Sequence, residues 1–88
     1  MNMSEVTHEA GKPLVTITVN GKSVMVDGPR ITGAEIKAAA IAQGVQIESD
    51  FVLSEELANG EMQVIGNNDT VTVNKNSSFV AVAPDDNS

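Results

Sequence analysis

The chain contains no cysteine, which excludes a disulfide, a thiolate metal site and a cysteine nucleophile. It also has no run of about 18 apolar residues, so the sequence predicts no membrane-spanning helix. Lysine and arginine are few, five against twelve acidic residues, and the net charge is −7. Such a chain repels a phosphate backbone and offers no aromatic platform for bases. We therefore expect no membrane contact and no direct binding of nucleic acid.

Side chains that could build an active site are also scarce. The single histidine, His8, lies in a polar segment where a catalytic base would have no ordered partner. Glu55 and Glu56 are adjacent on an expected strand and point to opposite faces, so they cannot share a metal ion. Ser77-Ser78 has neither a nearby base nor a glycine elbow. The sequence therefore predicts a protein that is not an enzyme and carries no metal or cofactor.

The clearest structural signal is a β-hairpin. Leu14 to Val19 and Lys22 to Asp27 alternate in polarity, and Asn20-Gly21 between them suits a type I′ turn, which needs positive φ at both positions. If Val19 pairs with Lys22, Ile17 and the valines share one face. The opposite face then carries four other side chains: Thr16, Thr18, Ser23 and Met25.

A helix is expected after the hairpin. Thr32 and Glu35, three residues apart, form a capping box. The alanine-rich segment Ala34 to Gln43 favours helix by propensity, and Gly44 suits its C-terminal end.

The second half of the chain predicts shorter strands. Phe51 to Leu57 and Met62 to Ile65 flank an Asn59-Gly60 turn and are expected to pair antiparallel. Thr70 to Val73 alternates briefly, and Phe79 to Ala83 forms the last apolar run. These elements predict an α+β fold, a mixed sheet with one helix packed across one face. We expect the first and last strands to be parallel neighbours in the sheet centre, with their apolar runs buried.

Polar segments flank this region. Met1 to Pro13 lacks apolar periodicity and is interpreted as a flexible leader, and residues 14–83 as the folded domain. The polar segment Pro84 to Ser88 is interpreted as a flexible C-terminal tail, because its proline cannot continue a central strand.

Four segments of the chain form a recognisable set. They are Ile17-Thr18-Val19-Asn20-Gly21, Ile31-Thr32-Gly33-Ala34-Glu35-Ile36, Asp69-Thr70-Val71 and Phe79-Val80-Ala81-Val82. The most specific of them is the helix start "ITGAEI" after an "NG" hairpin. Together they resemble the bacterial multiubiquitin family of ubiquitin-like domains. The resemblance covers about Leu14 to Pro84 and implies a ubiquitin-like β-grasp fold.

The resemblance also implies a function, that of a cytoplasmic protein modifier joined by its C-terminus to a target protein. Members are typically encoded beside E1-like, E2-like and deubiquitinase-like proteins, so the implied partners are an E1-like activating enzyme, an E2-like enzyme and a deubiquitinase-like peptidase. The conjugated element would be the tail: Pro84, Asp85, Asp86, Asn87 and Ser88. This tail lacks the glycine pair with which ubiquitin threads a narrow enzyme groove. Either cognate enzymes accept another tail, after trimming by a peptidase, or the chain is not conjugated.

The alternative is a non-conjugated ubiquitin-like module that binds a partner through its sheet face or a sheet edge. Ubiquitin-like domains usually present the face opposite the helix, so Thr16, Thr18 and Met25 are the expected partner contacts. A sulfur carrier of the same fold would need a terminal glycine and ranks last. We interpret three lysines as exposed, solubilising residues rather than sites for further modifiers: Lys22, Lys37 and Lys75.

Overall fold

The computed structural model describes residues 13–84. The expected leader, apart from Pro13, and Asp85 to Ser88 of the expected tail lie outside the described residues. In chain order the elements are β1 (Leu14–Val19), β2 (Lys22–Asp27), β3 (Arg30–Thr32), α1 (Gly33–Ala42), β4 (Val52–Glu56), β5 (Met62–Ile65), β6 (Thr70–Thr72) and β7 (Ser78–Val82).

Five strands form one mixed sheet in the order β2-β1-β7-β4-β5, and α1 packs across one face. The first and last strands are parallel neighbours in its centre, with Val19 opposite Phe79. The predicted α+β architecture, a ubiquitin-like β-grasp, is confirmed. The sequence did not predict that β3 and β6 pair in a separate ladder, with Ile31 opposite Val71. Three residues on each side are too few for an alternating pattern to be recognised.

The β1–β2 hairpin has the predicted register, with Val19 opposite Lys22 and Ile17 opposite Val24. Asn20 and Gly21 adopt φ values of 52° and 79°, as the type I′ turn requires. Because side chains alternate across a strand, this register places the buried residues of both strands on the face that α1 covers.

Asn20 has a second role that the turn pattern alone does not reveal. Its backbone N–H donates to the Phe79 carbonyl at 3.0 Å, after which β1 turns away from β7. The Asn20 side chain then takes the place of a strand residue. Its Oδ1 accepts from the Ala81 N–H at 2.8 Å, and its Nδ2 donates to the Ala81 carbonyl at 3.0 Å. The parallel ladder is thus extended past the end of β1 by a side-chain amide.

This arrangement predicts a stability loss for Asn20→Gly. Glycine keeps the left-handed backbone but leaves both backbone groups of the largely buried Ala81 unpaired, so we expect a cost of about 1–2 kcal/mol. Asn59→Gly is a comparison for the loss of an exposed turn asparagine, whose side chain accepts from the Glu61 N–H. Asn59 does not share the positive φ of Asn20, so glycine also carries a backbone-entropy cost there. Urea unfolding followed by circular dichroism measures both variants. A loss of less than about 0.5 kcal/mol for Asn20→Gly would contradict a role for the Ala81 contacts.

The core lies between α1 and the sheet. Its largest fully buried side chains are Phe79, Ile17, Ile36 and Leu53. The expectation that the apolar runs of the first and last strands are buried holds for every second residue. Ile17, Val19, Phe79 and Ala81 are buried, whereas Leu14 is 51% exposed and Val82 is 53% exposed. Only one face of this sheet is covered by the helix, so alternate residues of even the central strands remain open to solvent.

The residues of the ITGAEI segment, Ile31 to Ile36, include the cap of α1 and a glycine that lets the helix start approach the chain after β5. The capping box is confirmed: the Glu35 N–H donates to Thr32 Oγ1 at 3.2 Å, and the Thr32 N–H donates to Glu35 Oε1 at 3.0 Å. The next donor, the Gly33 N–H, bonds to the Asp69 carbonyl at 3.1 Å. This brings the helix start so close to the chain after β5 that a Cβ on Gly33 would collide with the Gly66 carbonyl oxygen. The glycine permits this approach.

Lys37 corrects one sequence-based interpretation. It was expected to be exposed, but it is only 5% exposed. Its Nζ donates to the Ser49 carbonyl at 2.8 Å and to the Phe51 carbonyl at 2.9 Å, which fastens the chain before β4 to the helix. These two bonds keep the ammonium paired, which is what allows a lysine to be buried. Lys22 and Lys75 are exposed, as interpreted.

Candidate functional site

The open face of the sheet, on the side away from α1, is the main surface available for recognition. The strand registers align one row of side chains across all five strands: Ser23, Thr18, Ser78, Glu56 and Met62. Four of the five are polar. This row divides the open face into two halves with different chemistry.

The residues predicted from sequence lie in one half. Thr16 is paired with Met25, and both are exposed, Met25 by 49%. Thr18 lies in the dividing row and is partly buried. The structure therefore brings Thr16, Thr18 and Met25 together on the open face, next to the exposed Leu14. Their apolar surface is limited to Leu14 and Met25, which lie diagonally across the β1–β2 pair.

The other half carries a larger apolar surface that the sequence analysis did not single out. Four valines on β7, β4 and β5 line it, and we call them the valine strip: Val52, Val64, Val80 and Val82. Val82 is paired with Val52, while Ser54 lies between Val80 and Val64. The exposed fractions are 65% for Val64, 53% for Val82 and 37% for Val52. The signal in the sequence was the apolar residue at every second position of β7, although each strand alone was too short to decide which face was buried.

The two apolar surfaces are well separated. β1 pairs with β7 only at the start of β7, so the hairpin is displaced along the strand direction relative to the other three strands. The row of Thr16 and Met25 is four residues from the row of Val80 and Val64, about 13 Å along the strands. β2 and β5 are a further four strand spacings apart, about 19 Å. One small partner segment would contact one surface or the other.

A shallow groove of about 340 Å³ lies on the helix side of the domain. Its wall is mostly small and apolar: Ala34, Lys37, Ala38, Ile41, Ala42, Ser49 and Asn67. Because the Lys37 ammonium is held by two backbone carbonyls, this groove presents little polar chemistry to a ligand.

Two further features bear on chemistry. Among residues 13–84, no group of three histidine, cysteine, aspartate or glutamate side chains could hold a metal ion. Within the same part of the chain, no helix is long and apolar enough to cross a membrane.

The tail is described only at its first residue. β7 ends at Val82, Ala83 is exposed and Pro84 is partly buried. Asp85, Asp86, Asn87 and Ser88 lie outside the described residues, so their predicted role stays a prediction.

A comparison with known protein families identifies the family of this domain. A family model described as multiubiquitin matches residues 15–85, most of the chain. The chain belongs to the multiubiquitin family. No curated protein and no solved structure gives a match. In this multiubiquitin domain the matched segment includes the capped helix, both hairpins and the whole valine strip.

Proposed function

We propose that this multiubiquitin domain is a bacterial ubiquitin-like protein modifier, joined through its Pro84 to Ser88 tail to a target protein. An E1-like enzyme would activate the tail carboxylate with ATP, an E2-like enzyme would carry it, and a deubiquitinase-like peptidase would trim or release it. Membership of the multiubiquitin family is the observation that carries this proposal. The cytoplasm is the proposed place of action, because ATP-dependent activation takes place there.

The exposed end of the last strand supports this role. β7 lies in the centre of the sheet, and the chain leaves it at the exposed Ala83. The ordered domain would serve as the surface that the enzymes grip, while the tail supplies the reacting carboxylate. Residues 84–88 contain no glycine pair. An activating enzyme that takes this segment would need a wider groove than one specific for Gly-Gly, or a peptidase would have to trim it first.

A second candidate is a non-conjugated interaction module, and the valine strip favours it. Exposed contiguous apolar surface on a monomeric domain often marks an interaction site. Val64, Val82 and Val52 form such a surface on neighbouring strands, with the acidic Glu56 and the exposed Met62 at its border. In a modifier, the same strip would be the surface that the E1-like enzyme binds.

Two variants separate the candidates. Deleting Asp85 to Ser88 is expected to abolish covalent adducts with targets while leaving non-covalent binding intact. The double variant Val64→Thr and Val82→Thr keeps the strands but removes apolar contact area. We expect it to weaken binding to the E1-like enzyme by about tenfold or more. Gel analysis of adducts and titration calorimetry measure the two effects.

The matched control carries Leu14→Thr and Met25→Thr at the other end of the open face, and it is expected to bind within about twofold of the parent domain. If adducts persist without residues 85–88, attachment through these residues is wrong. If the control weakens binding as much as the strip variant, the recognition surface is the hairpin end that the sequence predicted.

A further inference from the structure

The two edges of the sheet differ in their backbone hydrogen bonding. At the β2 edge, the Met25 N–H donates to Gln43 Oε1 at 2.9 Å, and Gln43 Nε2 donates to the Met25 carbonyl at 2.7 Å. The glutamine amide after α1 therefore occupies the place that the backbone of an added strand would take. The N–H and C=O groups of Met25, in the middle of the β2 edge, are therefore not available to an added strand.

The β5 edge is open. The Leu57 N–H donates to the Glu61 carbonyl at 2.8 Å. Together with the register of the β4–β5 hairpin, this bond shows which residues of β5 direct their backbone N–H and C=O groups toward β4. Glu61 and Gln63 direct their backbone groups toward β4, so Met62 and Val64 direct theirs outward. Among residues 13–84, no partner accepts from or donates to those outward groups. Their side chains are 49% and 65% exposed, so neither backbone nor side chain is shielded.

The chain segment that contains β4 and β5 carries charge of one sign. From Ala38 to Asn74 the chain has no lysine, arginine or histidine. The same segment carries six acidic residues: Glu48, Asp50, Glu55, Glu56, Glu61 and Asp69. Glu61 immediately precedes Met62, and Glu56 is paired directly opposite Met62 on the open face. A strand that pairs with β5 would meet carboxylates at this end.

We propose that the β5 edge binds an extended segment of a partner protein that bears lysine or arginine residues and adds to the sheet as a sixth strand. The outward N–H and C=O groups of Met62 and Val64 supply up to four backbone hydrogen bonds. Apolar residues of the partner strand would pack beside Val64, the residue of the valine strip that lies on β5. Its lysine or arginine side chains would face Glu56 and Glu61. A second copy of this domain is a poorer occupant, because it would bring the carboxylates of two edges together. The proposal does not depend on conjugation of the tail.

The test uses a defined probe, an acetylated and amidated hexapeptide of alternating lysine and valine, titrated into ¹⁵N-labelled full-length protein. The expected result is a shift of the Met62 and Val64 amide resonances and slower hydrogen exchange at both, with unchanged Ser23 and Met25 amides. A peptide with glutamate in place of lysine is expected not to bind. Binding of the lysine peptide is expected to weaken as salt is raised.

The Val64 N–H points away from β4, so Val64→Pro removes one outward N–H and no bond to β4. Proline is tolerated at such edge positions. We expect it to weaken peptide binding by about tenfold, whereas Val64→Thr, which keeps the N–H, stays within about threefold. A lysine–valine peptide that is N-methylated at alternate residues tests the same bonds without any change in the protein, and it is expected not to bind.

Three results would overturn the proposal. One is equal affinity of the parent, Val64→Pro and the methylated peptide. Another is a set of shifts confined to β2. The third is a concentration-dependent dimer, seen by sedimentation and abolished by Val64→Pro, which would assign the edge to a second copy. Failure of conjugation with normal peptide binding would leave this edge proposal standing, so the two proposals fail separately.

Discussion

Replacing Phe79 with alanine is expected to lower the free energy of unfolding by about 3–5 kcal/mol. Phe79 is the largest side chain with no solvent exposure, and it lies on β7 in the centre of the sheet. Alanine would leave a cavity between the sheet and α1 that neighbouring strands on both sides cannot readily fill. Because a domain of this size has a free energy of unfolding of only about 5–15 kcal/mol, much of its stability would be lost.

Phe51→Ala is the matched control for that experiment. Phe51 is the only other aromatic residue and is only partly buried at the edge of the core. We expect it to cost less than half as much. The chain has no tryptophan or tyrosine, so unfolding is best followed by far-ultraviolet circular dichroism. Equal costs for the two variants would contradict the placement of Phe79 at the centre of the core.

Gly33→Ala is expected to destabilise the domain by about 2–3 kcal/mol, opposite in sign to what helix propensity predicts. Alanine is normally the better helix residue by about 1 kcal/mol. Here its Cβ would collide with the Gly66 carbonyl oxygen, and Ile65 also lies close to that position. The helix start would have to move away from the chain after β5, which would break the bond from the Gly33 N–H to the Asp69 carbonyl.

Ala34→Gly measures the propensity term alone, because Ala34 is the next helical residue and is exposed. We expect it to cost about 1 kcal/mol. Thermal unfolding of the two variants beside the parent gives the comparison. A Gly33→Ala variant as stable as the parent, or more stable, would show that the close approach of α1 to Gly66 is wrong.

Local patterns in the sequence were sufficient for much of the fold. The Asn20-Gly21 turn fixes the register of the first hairpin, and Thr32 with Glu35 fixes the start of α1. These features depend on residues a few positions apart, where backbone and capping preferences act directly. The parallel pairing of β1 with β7 was also predicted, from the α+β arrangement as a whole.

Features that depend on distant contacts were missed. The burial of Lys37 depends on carbonyls 12 and 14 residues further along the chain. The closure of the β2 edge depends on Gln43 reaching Met25 across 18 residues. The valine strip is formed by three strands whose order no local pattern reveals. The partner contacts predicted at Thr16, Thr18 and Met25 depend on the one hairpin whose register a local pattern fixes, and they stay a prediction.

The most direct test of the modifier proposal is the intact mass of the chain after incubation with E1-like, E2-like and deubiquitinase-like proteins from the same organism, with and without ATP. We predict either loss of residues from the Pro84 to Ser88 tail or ATP-dependent adducts that disappear when Asp85 to Ser88 are deleted. An unchanged full-length mass in the presence of active enzymes would contradict conjugation and leave the non-covalent module as the function of this domain.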